Sequence, residues 1–366
     1  MKQTPLYACH VAQNAHMVAF GEWEMPMHYG SQIQEHLNTR REAGMFDVSH
    51  MVVTDIQGTE ASHFLRSILS NDVAKIQPNQ ALYSCLLHHE GGVLDDLIVY
   101  QLAANHYRLI TNSVTREKVS LWLNQLAQDF QITLHPQTQY ALIAVQGPQA
   151  IELVSRQFTA SGLNARIQNL KSFTALQTEH CFIARTGYTG EPGVEILLSA
   201  EAGVTLWHSL AEAGVSPCGL GARDTLRQEA GLNLYGQEMD ETTNPYEANL
   251  GFTIDLNDSN RNFIGKQAVI AMQAQAQFKL VGLVGDKSQI MRRHAPVFLA
   301  DKTEGIVTSG TYSPSLNCAI AFARIPKQPI AEVEVMVRRC PVQARVVRLP
   351  FVRQGRATFA SILKAI

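Results

Sequence analysis

Three extended runs joined by very short connections constrain the fold of this chain more than any other feature. The runs span residues 81–87, 93–102 and 107–111, and the connections are centred on Glu90-Gly91-Gly92 and Ala103-Ala104-Asn105. A parallel pair of strands needs a crossover of about a dozen residues or more, so connections this short predict an antiparallel meander.

Helical and extended patterns alternate irregularly around this meander. An extended run at 51–56 precedes apolar residues at helical spacing over 61–69, and a second amphipathic pattern spans 119–126. The extended run 140–145 leads into Gly147-Pro148, which is typical of a helix start. Because the order lacks strict strand–helix–strand alternation, we predict an α+β body and not a doubly wound parallel sheet.

The last part of the chain has a different pattern. It contains mainly short extended runs, such as 333–337 and 342–347, and it follows an alanine- and glutamine-rich segment, 267–278, with helical character. We therefore predict a bridging helix at the end of the body and a separate, largely β domain from about residue 275 onward.

Composition excludes several function classes. Among 366 residues there are 30 basic and 32 acidic side chains, and the net charge of -2 gives no general field to attract nucleic acid or anionic lipid. The six cysteines show no CxxC spacing and no cluster with histidine, as expected for reduced thiols. The N-terminal segment lacks signal- or transit-peptide features, and no apolar run reaches the roughly 18 residues of a membrane helix. We expect a bacterial cytoplasmic protein that binds a small molecule or a protein.

Two adjacent acids, Asp95 and Asp96, interrupt an otherwise apolar extended run. Side chains alternate across a strand, so the two carboxylates should point to opposite faces, and at most one should be buried by the same surface. A buried carboxylate is costly unless it is hydrogen bonded or paired, which makes this position a candidate functional site. The alternative is that both acids cap turns or lie on solvated edges, and the pattern alone does not decide.

A glycine-rich loop, 185–193, leads into an apolar extended run that contains Glu195. The loop lacks the lysine and hydroxyl residue of a P-loop and the glycine spacing of a dinucleotide fold. It offers the ring of Tyr188 on a turn and an acid at the beginning of a strand, where a planar heterocycle could stack and be held through its donor edge. Alone, the loop favours an exposed hairpin turn with polar residues.

Two arginines, Arg223 and Arg227, share one face of a predicted helix, with Asp224 three residues before Arg227. Taken alone, this spacing favours an ion pair on the surface. The pair His88-His89 is interpreted as a solvated turn and not as a metal site.

Taken together and in order, these segments resemble the folate-dependent aminomethyltransferases of the glycine cleavage system, the T-protein family. One such motif would be weak, but the matches keep their order almost from end to end of the chain. Besides the double-aspartate run, they are Thr4-Pro5-Leu6, Trp23-Glu24-Met25-Pro26, Gly44-Met45-Phe46-Asp47-Val48-Ser49-His50-Met51, Gln146-Gly147-Pro148, Thr186-Gly187-Tyr188-Thr189-Gly190-Glu191, Gly219-Leu220-Gly221-Ala222-Arg223-Asp224, Tyr235-Gly236-Gln237-Glu238-Met239-Asp240, Phe263-Ile264-Gly265-Lys266 and Thr308-Ser309-Gly310-Thr311-Tyr312-Ser313-Pro314.

The resemblance implies a three-domain ring around a central folate pocket, with a C-terminal β-barrel as the last domain. The first two domains would be interleaved α+β domains that together form a folate-binding catalytic body. The implied ranges are 1–274 for the body, approximately 1–50 with 138–224 and 51–137 with 225–274 for its two domains, and 275–366 for the barrel.

The resemblance also implies the site residues. The aspartate matching Asp96 would meet the reactive nitrogens of tetrahydrofolate as the catalytic group, and the glutamate matching Glu195 would accept hydrogen bonds from the pteridine edge. Further cofactor-binding residues implied in the same way are Arg227, Tyr188, Asn112, Tyr83 and Met51. The family needs no metal.

The implied reaction takes the aminomethyl group that the lipoyl arm of H-protein carries through sulfur and passes its methylene to tetrahydrofolate. Ammonia and the dihydrolipoyl arm are released, and 5,10-methylenetetrahydrofolate is formed. A fixed carboxylate suits this chemistry because it can orient the attacking amine, accept its proton and stabilise an iminium-like cation. Arg292 and Arg293 are a hypothesis for contact with an acidic carrier, although a solvated pair is the simpler interpretation.

The sequence departs from the family pattern at Ala19, Val194, Phe252 and Asn317. The family usually has an acid, an aromatic residue, a tryptophan and a glycine at these positions. Loss of bulk at Val194 is expected to loosen the pocket, without removing the residues on which the chemistry depends.

Two related functions remain as alternatives. One is a folate-dependent demethylase of a small amine or sulfonium compound. Release of ammonia from the loaded carrier would distinguish an aminomethyltransferase from this demethylase. The other is a non-enzymatic folate-binding protein that assists iron–sulfur assembly, and the residues before Gly236-Gln237-Glu238 lack its cysteine.

Overall fold

The computed structural model describes residues 1–359, in which helices and strands follow one another in mixed order. The helices are α1 (Tyr7–Ala12), α2 (Gln32–Arg41), α3 (Ala61–Ile68), α4 (Arg116–Ala127), α5 (Ala150–Gln157), α6 (Asn164–Gln168), α7 (Ala200–Glu212), α8 (Leu220–Glu229) and α9 (Lys266–Gln275). Short 3-10 turns occur at Val73–Lys75, Pro245–Ala248 and Gly251–Thr253.

Most strands before α9 belong to two sheets, and the strands after it belong mainly to a barrel. The strands before α9 are β1 (Lys2–Gln3), β2 (His16–Phe20), β3 (Trp23–His28), β4 (Gly44–Asp47), β5 (Val52–Gln57), β6 (Ala81–Leu87), β7 (Val93–Ala103), β8 (His106–Thr111), β9 (Thr133–Pro136), β10 (Tyr140–Gln146), β11 (Ala175–Gln177), β12 (Cys181–Ala184), β13 (Gly193–Ser199) and β14 (Ser216–Pro217). Those after it are β15 (Phe278–Gly285), β16 (Pro296–Phe298), β17 (Glu304–Ser313), β18 (Cys318–Pro326), β19 (Glu332–Val337), β20 (Cys340–Val347), β21 (Val352–Arg353) and β22 (Arg356–Ala357).

The first sheet contains the predicted meander, and its antiparallel pairing is confirmed. The strand order is β6-β7-β8-β5-β9, with β7 paired antiparallel to both β6 and β8. Helices α3 and α4 cover one face, where Phe64, Leu65, Val119 and Leu123 form one buried cluster with the strand residue Val99. Burial of this apolar stripe holds the helices to the sheet.

The second sheet has the strand order β11-β12-β13-β10-β4-β14 and packs against α5 and α7. Its strand β4 comes before the meander in the chain, whereas β10 comes after it. The chain therefore leaves this sheet, builds the meander and returns. The segment after α8 packs again on the meander, since Phe263 and Val269 share a buried cluster with Cys85 and Val93. The exact domain boundaries stay a prediction.

The C-terminal β-barrel and the α+β class are both confirmed. The barrel strands follow the order β15-β18-β17-β16-β19-β20, and pairing of β15 with β20 closes it. Two residues separate the end of α9 at Gln275 from the beginning of β15 at Phe278, so α9 forms the bridge predicted from its alanine and glutamine content.

Asn317 lies at a tight turn between β17 and β18 with a φ of 55 degrees, a left-handed conformation. Asparagine tolerates this region better than most residues, and its Oδ1 accepts a hydrogen bond of 2.8 Å from the Tyr312 hydroxyl. The turn therefore forms with asparagine where the family usually has glycine.

A buried glutamate, Glu229 at the end of α8, ties the body to the barrel. Its carboxylate accepts hydrogen bonds from Ser313 Oγ at 2.5 Å, from Arg40 Nη2 at 2.9 Å and from His36 Nε2 at 3.1 Å. Burial opposes its ionisation, but the hydrogen bond and charge of His36, the charge of Arg40 and the Ser313 hydroxyl lower its pKa to about 2. The domain contact therefore depends on an ionised carboxylate.

This arrangement predicts a pH-dependent stability. The pKa of Glu229 falls from 4.5 to about 2 on folding. Its stabilising contribution should therefore be complete above about pH 5 and lost as pH falls toward 2, an effect of about 3 kcal/mol. In urea unfolding, the stability difference between the wild type and Glu229→Gln should shrink over this interval. A difference that stays constant from pH 6 to pH 3 would contradict the assignment.

Candidate functional site

Asp96 lies on β7 with part of its side chain exposed, and both of its carboxylate oxygens are held. The hydroxyl of Tyr83, on the neighbouring β6, donates to Asp96 Oδ2 at 2.8 Å, and Asn112 Nδ2 donates to Asp96 Oδ1 at 2.8 Å. Asp95 has no exposed surface, and it accepts from Asn112 N at 3.2 Å and from Thr115 Oγ1 at 2.8 Å. Neither acid caps a turn or lies on a solvated edge.

The end of β8 explains how one residue reaches both acids. The register that pairs Ile98 with Ile110 would place Asn112 opposite Asp96, one position beyond the last residue of β8. In a regular antiparallel pair, a backbone N–H would donate to the Asp96 carbonyl oxygen. Here the side-chain amide of Asn112 donates to that oxygen, at 3.1 Å. The backbone N–H of Asn112 donates instead to the side chain of Asp95. Strand alternation separated the environments of the two acids, but it did not predict that Asn112 joins them.

Both acids hold a proton more tightly than an ordinary aspartate. Burial and the nearby charge of Asp96 raise the pKa of Asp95 to about 7. Burial also raises the pKa of Asp96, although the hydrogen bonds from Tyr83 and Asn112 oppose the rise. An ionised Asp96 is therefore a stronger base than a solvent-exposed aspartate, which suits a group that accepts a proton from an amine.

An exposed aromatic ring lies beside this carboxylate. Phe252 is 70% exposed, and its ring stacks on that of Tyr83 with 6.0 Å between the centroids and 21 degrees between the planes. A large exposed apolar side chain that is ordered by another ring offers a surface for an apolar part of a ligand.

Glu195, on β13, is the second predicted acid, and one of its carboxylate oxygens is engaged. Thr186 Oγ1 donates to Glu195 Oε2 at 2.6 Å, and the hydroxyl of buried Tyr100 lies 2.9 Å from Thr186 Oγ1. Within residues 1–359, no donor reaches Glu195 Oε1. Glu195 thus keeps one carboxylate oxygen free to accept a hydrogen bond from a ligand.

Met51, another predicted site residue, packs against the buried cluster that contains Tyr100.

Val194 faces away from the candidate site. Its side chain is fully buried in the cluster between the second sheet and α5 and α7, on the opposite face of β13 from Glu195. The small side chain at this position therefore affects core packing, and the expected loosening of the pocket by direct contact does not follow from the geometry.

The glycine-rich loop connects the antiparallel strands β12 and β13, so it is a hairpin connection, in which Thr186 and Thr189 are buried while Gly187 and Gly190 are exposed. A Cβ at Gly187 would lie 1.9 Å from Gln146 Oε1, so a larger residue there would displace the side-chain amide of Gln146. The Tyr188 hydroxyl donates to the carbonyl oxygen of Asn233, and the guanidinium of Arg223 lies 4.6 Å from the centroid of the Tyr188 ring.

Arg227 pairs with Asp224, as the spacing indicated, but its side chain is buried, so the predicted surface location of this arginine is wrong. A guanidinium has five N–H donors, and each has a partner here. The partners are Asp224 Oδ1 at 2.8 Å, Leu232 O at 3.0 Å, Glu238 Oε2 at 3.0 Å, Gln237 Oε1 at 3.1 Å and Ser309 Oγ at 3.0 Å. Arg227 therefore braces α8 against the segment before the barrel and against the barrel itself.

Arg223 lies one turn earlier on α8, and within residues 1–359 its guanidinium donors are unpaired, in contrast to those of Arg227. No hydrogen-bond acceptor and no carboxylate at ion-pair distance contacts its guanidinium among the described residues. Burial lowers its pKa, while the charges of Tyr188 and Glu195 oppose this effect. Because its donors are free beside Tyr188 and near Glu195, Arg223 is the arginine best placed to meet a ligand. Sequence spacing gave no signal to separate it from Arg227.

Electrostatic influence links these groups into one site. The pKa of Tyr188 is raised by burial, and it responds to the charges of Arg227, Arg223 and Asp96. Tyr188 thus contacts the guanidinium of Arg223 and lies within electrostatic reach of the carboxylate of Asp96. Tyr83 and Asn112 contact Asp96 directly, and Arg223 lies beside Tyr188 and within electrostatic reach of Glu195. The cofactor-binding role of Arg227 stays a prediction.

The described residues contain no group of three or more His, Cys, Asp or Glu that could hold a metal ion. Both ring nitrogens of His88 have a hydrogen-bond partner. Nδ1 lies 2.6 Å from Glu90 Oε2, and Nε2 lies 2.8 Å from the carbonyl oxygen of Glu241. Over residues 1–359, no helix has the length and apolar character needed to span a membrane.

Comparison with protein families gives two matches that together cover most of the chain. Residues 6–258 match the GCVT N-terminal domain. Residues 279–353 match the glycine cleavage T-protein C-terminal barrel domain. The boundary between the two matches falls at α9, where the body ends and the barrel begins.

Individual relatives match over nearly their full length. The chain is 46% identical over 358 residues to proteins named aminomethyltransferase from Francisella tularensis subspecies tularensis and subspecies holarctica, covering 98% of this chain and 99% of each relative. Among solved structures, it is similar to the glycine cleavage system aminomethyltransferase T from Bartonella henselae. That structure has a TM-score of 0.89 and 33% sequence identity, and the match covers 98% of this chain and 99% of the other.

Proposed function

The chain belongs to the glycine cleavage T-protein family and is an aminomethyltransferase, and on this premise we propose how its site residues act. It transfers the methylene of the aminomethyl group on lipoylated H-protein to tetrahydrofolate, with release of ammonia. The observation that supports this role for the site is the Asp96 carboxylate, held at both oxygens by Tyr83 and Asn112 and more basic than an ordinary aspartate.

The free donors and acceptors of the site fit tetrahydrofolate. The pterin edge of this molecule carries N–H donors, which match the free Oε1 of Glu195. Its carbonyl and carboxylate oxygens match the free guanidinium donors of Arg223, and its rings match the aromatic surfaces of Tyr188 and Phe252. The amine nitrogens of tetrahydrofolate supply the nucleophiles of the reaction.

The chain's own residues then act on protons and charge. Ionised Asp96 orients an amine N–H, accepts its proton and stabilises the positive charge that develops on the transferred carbon. Tyr83 and Asn112 fix the carboxylate before the substrate arrives, so little reorganisation is needed in the transition state. Overall, two C–N bonds to folate form, and one C–N and one C–S bond of the carrier adduct break. The two protons from the folate nitrogens leave with ammonia and the thiol.

The proposed function is tested by ammonia release from aminomethyl-loaded lipoyl carrier, measured with and without tetrahydrofolate. We expect release that depends strongly on tetrahydrofolate, together with formation of 5,10-methylenetetrahydrofolate. Binding of folate without ammonia release would instead favour the demethylase or the assembly protein. Transfer of a methyl or methylene group from a small amine or sulfonium compound to folate would then identify the demethylase.

Arg223 provides a test of the ligand site that is independent of turnover. Replacing Arg223 by alanine should weaken tetrahydrofolate binding about 10- to 100-fold, because a hydrogen bond from a charged group contributes about 1.5–3 kcal/mol. Thermal stability should hardly change, since the guanidinium has no acceptor in the described protein. Isothermal titration calorimetry measures the effect, with alanine at the exposed Arg166 as the matched control. Unchanged affinity would remove Arg223 from the site.

We place the reaction in the cytoplasm because all six cysteines are free, and five of them are buried. A reducing compartment keeps such thiols unpaired. Lipoylated H-protein is the proposed carrier, and its docking surface must bring the lipoyl arm to Asp96.

A further inference from the structure

We propose that Asp95 is a positioning residue for this reaction. Through the side-chain amide of Asn112, it sets the orientation of the Asp96 carboxylate. It also leaves the side-chain oxygen of Asn112, Oδ1, as a second acceptor for the attacking amine. The inference rests on the proposed function and assigns a task to a buried acid that the mechanism above does not use.

The contacts of Asp95 are directed at Asn112. Asp95 has no exposed surface, so it cannot touch a ligand. Its Oδ1 accepts from Asn112 Nδ2 at 2.7 Å, and its Oδ2 accepts from Asn112 N at 3.2 Å and from Thr115 Oγ1 at 2.8 Å. Thr115 Oγ1 also lies 3.0 Å from the backbone carbonyl oxygen of Asn112, so the network includes the backbone and the side chain of that residue.

These contacts determine which way the Asn112 amide faces. One atom of the amide lies 2.7 Å from Asp95 Oδ1 and 2.8 Å from Asp96 Oδ1. Ionised carboxylates only accept hydrogen bonds and an amide oxygen has no hydrogen to donate, so with both acids ionised this atom must be the nitrogen. Its two hydrogens then serve three acceptors, namely Asp95 Oδ1, Asp96 Oδ1 and the Asp96 carbonyl oxygen. Asp95 thereby removes the alternative in which the amide turns its oxygen inward.

The remaining atom, Asn112 Oδ1, has no donor from the described protein. Asn112 is partly exposed, so this oxygen is available to a bound amine. An amine that approaches Asp96 would find two acceptors, the carboxylate and Asn112 Oδ1, with directions fixed by the same buried acid. Such support of a reacting group by packed, hydrogen-bonded neighbours preserves the geometry that the transition state needs.

Only a carboxylate can perform this task at position 95. It offers acceptors to all three donors, namely Asn112 N, Asn112 Nδ2 and Thr115 Oγ1. An asparagine in its place would offer one acceptor oxygen and would turn an N–H group toward at least one donor. The Asn112 amide would then lose its preferred orientation, although the side chain at 95 would have nearly the same size.

A double-mutant cycle on ammonia release tests the proposal. We expect Asp95→Asn to lower kcat about 10- to 100-fold, as is usual for loss of a group that orients an active-site residue, with the tetrahydrofolate dissociation constant within about threefold of the wild type. Asn112→Ala should lower kcat to a similar degree. Because Asp95 acts through Asn112, the double variant should be no slower than Asn112→Ala alone.

Three outcomes would overturn the proposal: an unchanged kcat in Asp95→Asn, losses that multiply in the double variant, or a loss confined to folate affinity. If Asp95→Asn does not fold, Thr115 replaces it in the test. Thr115→Val removes one donor to Asp95 and should lower kcat severalfold, whereas Thr115→Ser keeps the hydroxyl and should retain the wild-type rate; equal rates in these two variants would refute the role. Absence of ammonia release in the wild type would overturn the proposed function itself and this inference with it.

Discussion

Replacing Asp96 by asparagine is expected to reduce tetrahydrofolate-dependent ammonia release about a hundredfold or more while the protein stays folded. The amide keeps the size of the side chain and can still meet Tyr83, but it cannot accept a proton or balance a developing positive charge. A positioned acid–base group typically contributes about 10²- to 10⁴-fold to the rate. Single-turnover measurement with loaded carrier would isolate this step from carrier release.

The matched control is asparagine at Asp129, an exposed acid after α4, which should leave the rate unchanged. Tetrahydrofolate should still bind Asp96→Asn within a few-fold of the wild-type affinity, because the free acceptor of Glu195 and the donors of Arg223 remain. A rate that falls less than threefold would show that the chemistry does not pass through Asp96. A parallel loss of binding and rate would make Asp96 a binding residue only.

The second large effect is expected on stability and arises at Arg227. Replacing Arg227 by methionine should lower the free energy of unfolding by about 3–5 kcal/mol, because it leaves the carboxylate of Glu238 buried without its cation. Glu238 has no exposed surface, and Thr308 and Ser309 of the barrel also donate to it. The midpoint of urea unfolding should shift accordingly, with any separate transition of the barrel followed at the same time.

A second variant distinguishes this cause from loss of packing. Removing both charges, with Arg227→Met and Glu238→Gln together, should restore part of the lost stability, since no unpaired buried charge remains. A double variant that is no more stable than Arg227→Met would contradict the explanation. The contrast with Arg223 is also informative: substitution at Arg223 should affect ligand binding first, and substitution at Arg227 should affect stability first.

The residues of the candidate site were proposed from sequence because the matching motifs imply the roles that these residues have in the T-protein family, and those roles stay predictions. The double-aspartate run and the acid after the glycine-rich loop were visible as acids in apolar segments, where only a compensating partner allows burial. Asp95 was visible in the same way, but its task was not. The task depends on Asn112, which follows the next strand and reaches it only through the register between β7 and β8.

Arg223 shows the limit of such prediction most clearly. It shares a helix face with Arg227, and helical periodicity treats the two residues alike. The turn of α8 that carries Arg227 lies against the 235–240 segment and the barrel, which supply acceptors for three of its five donors. Arg223 lies beside Tyr188 and keeps its donors free. The difference comes from elements that are distant in sequence.

The sequence by itself determined the local structure of this protein. The short connections required an antiparallel meander, the apolar periodicities placed the helices and strands, and the change in pattern near residue 275 marked the barrel, because turn length and side-chain alternation act within a few residues. Only the tertiary structure decided which carboxylates are buried together. It also decided that all donors of Arg227 have acceptors, whereas those of Arg223 are available to a ligand. Burial, pKa and hydrogen-bond partners depend on contacts between segments far apart in the chain, and no local pattern contains them.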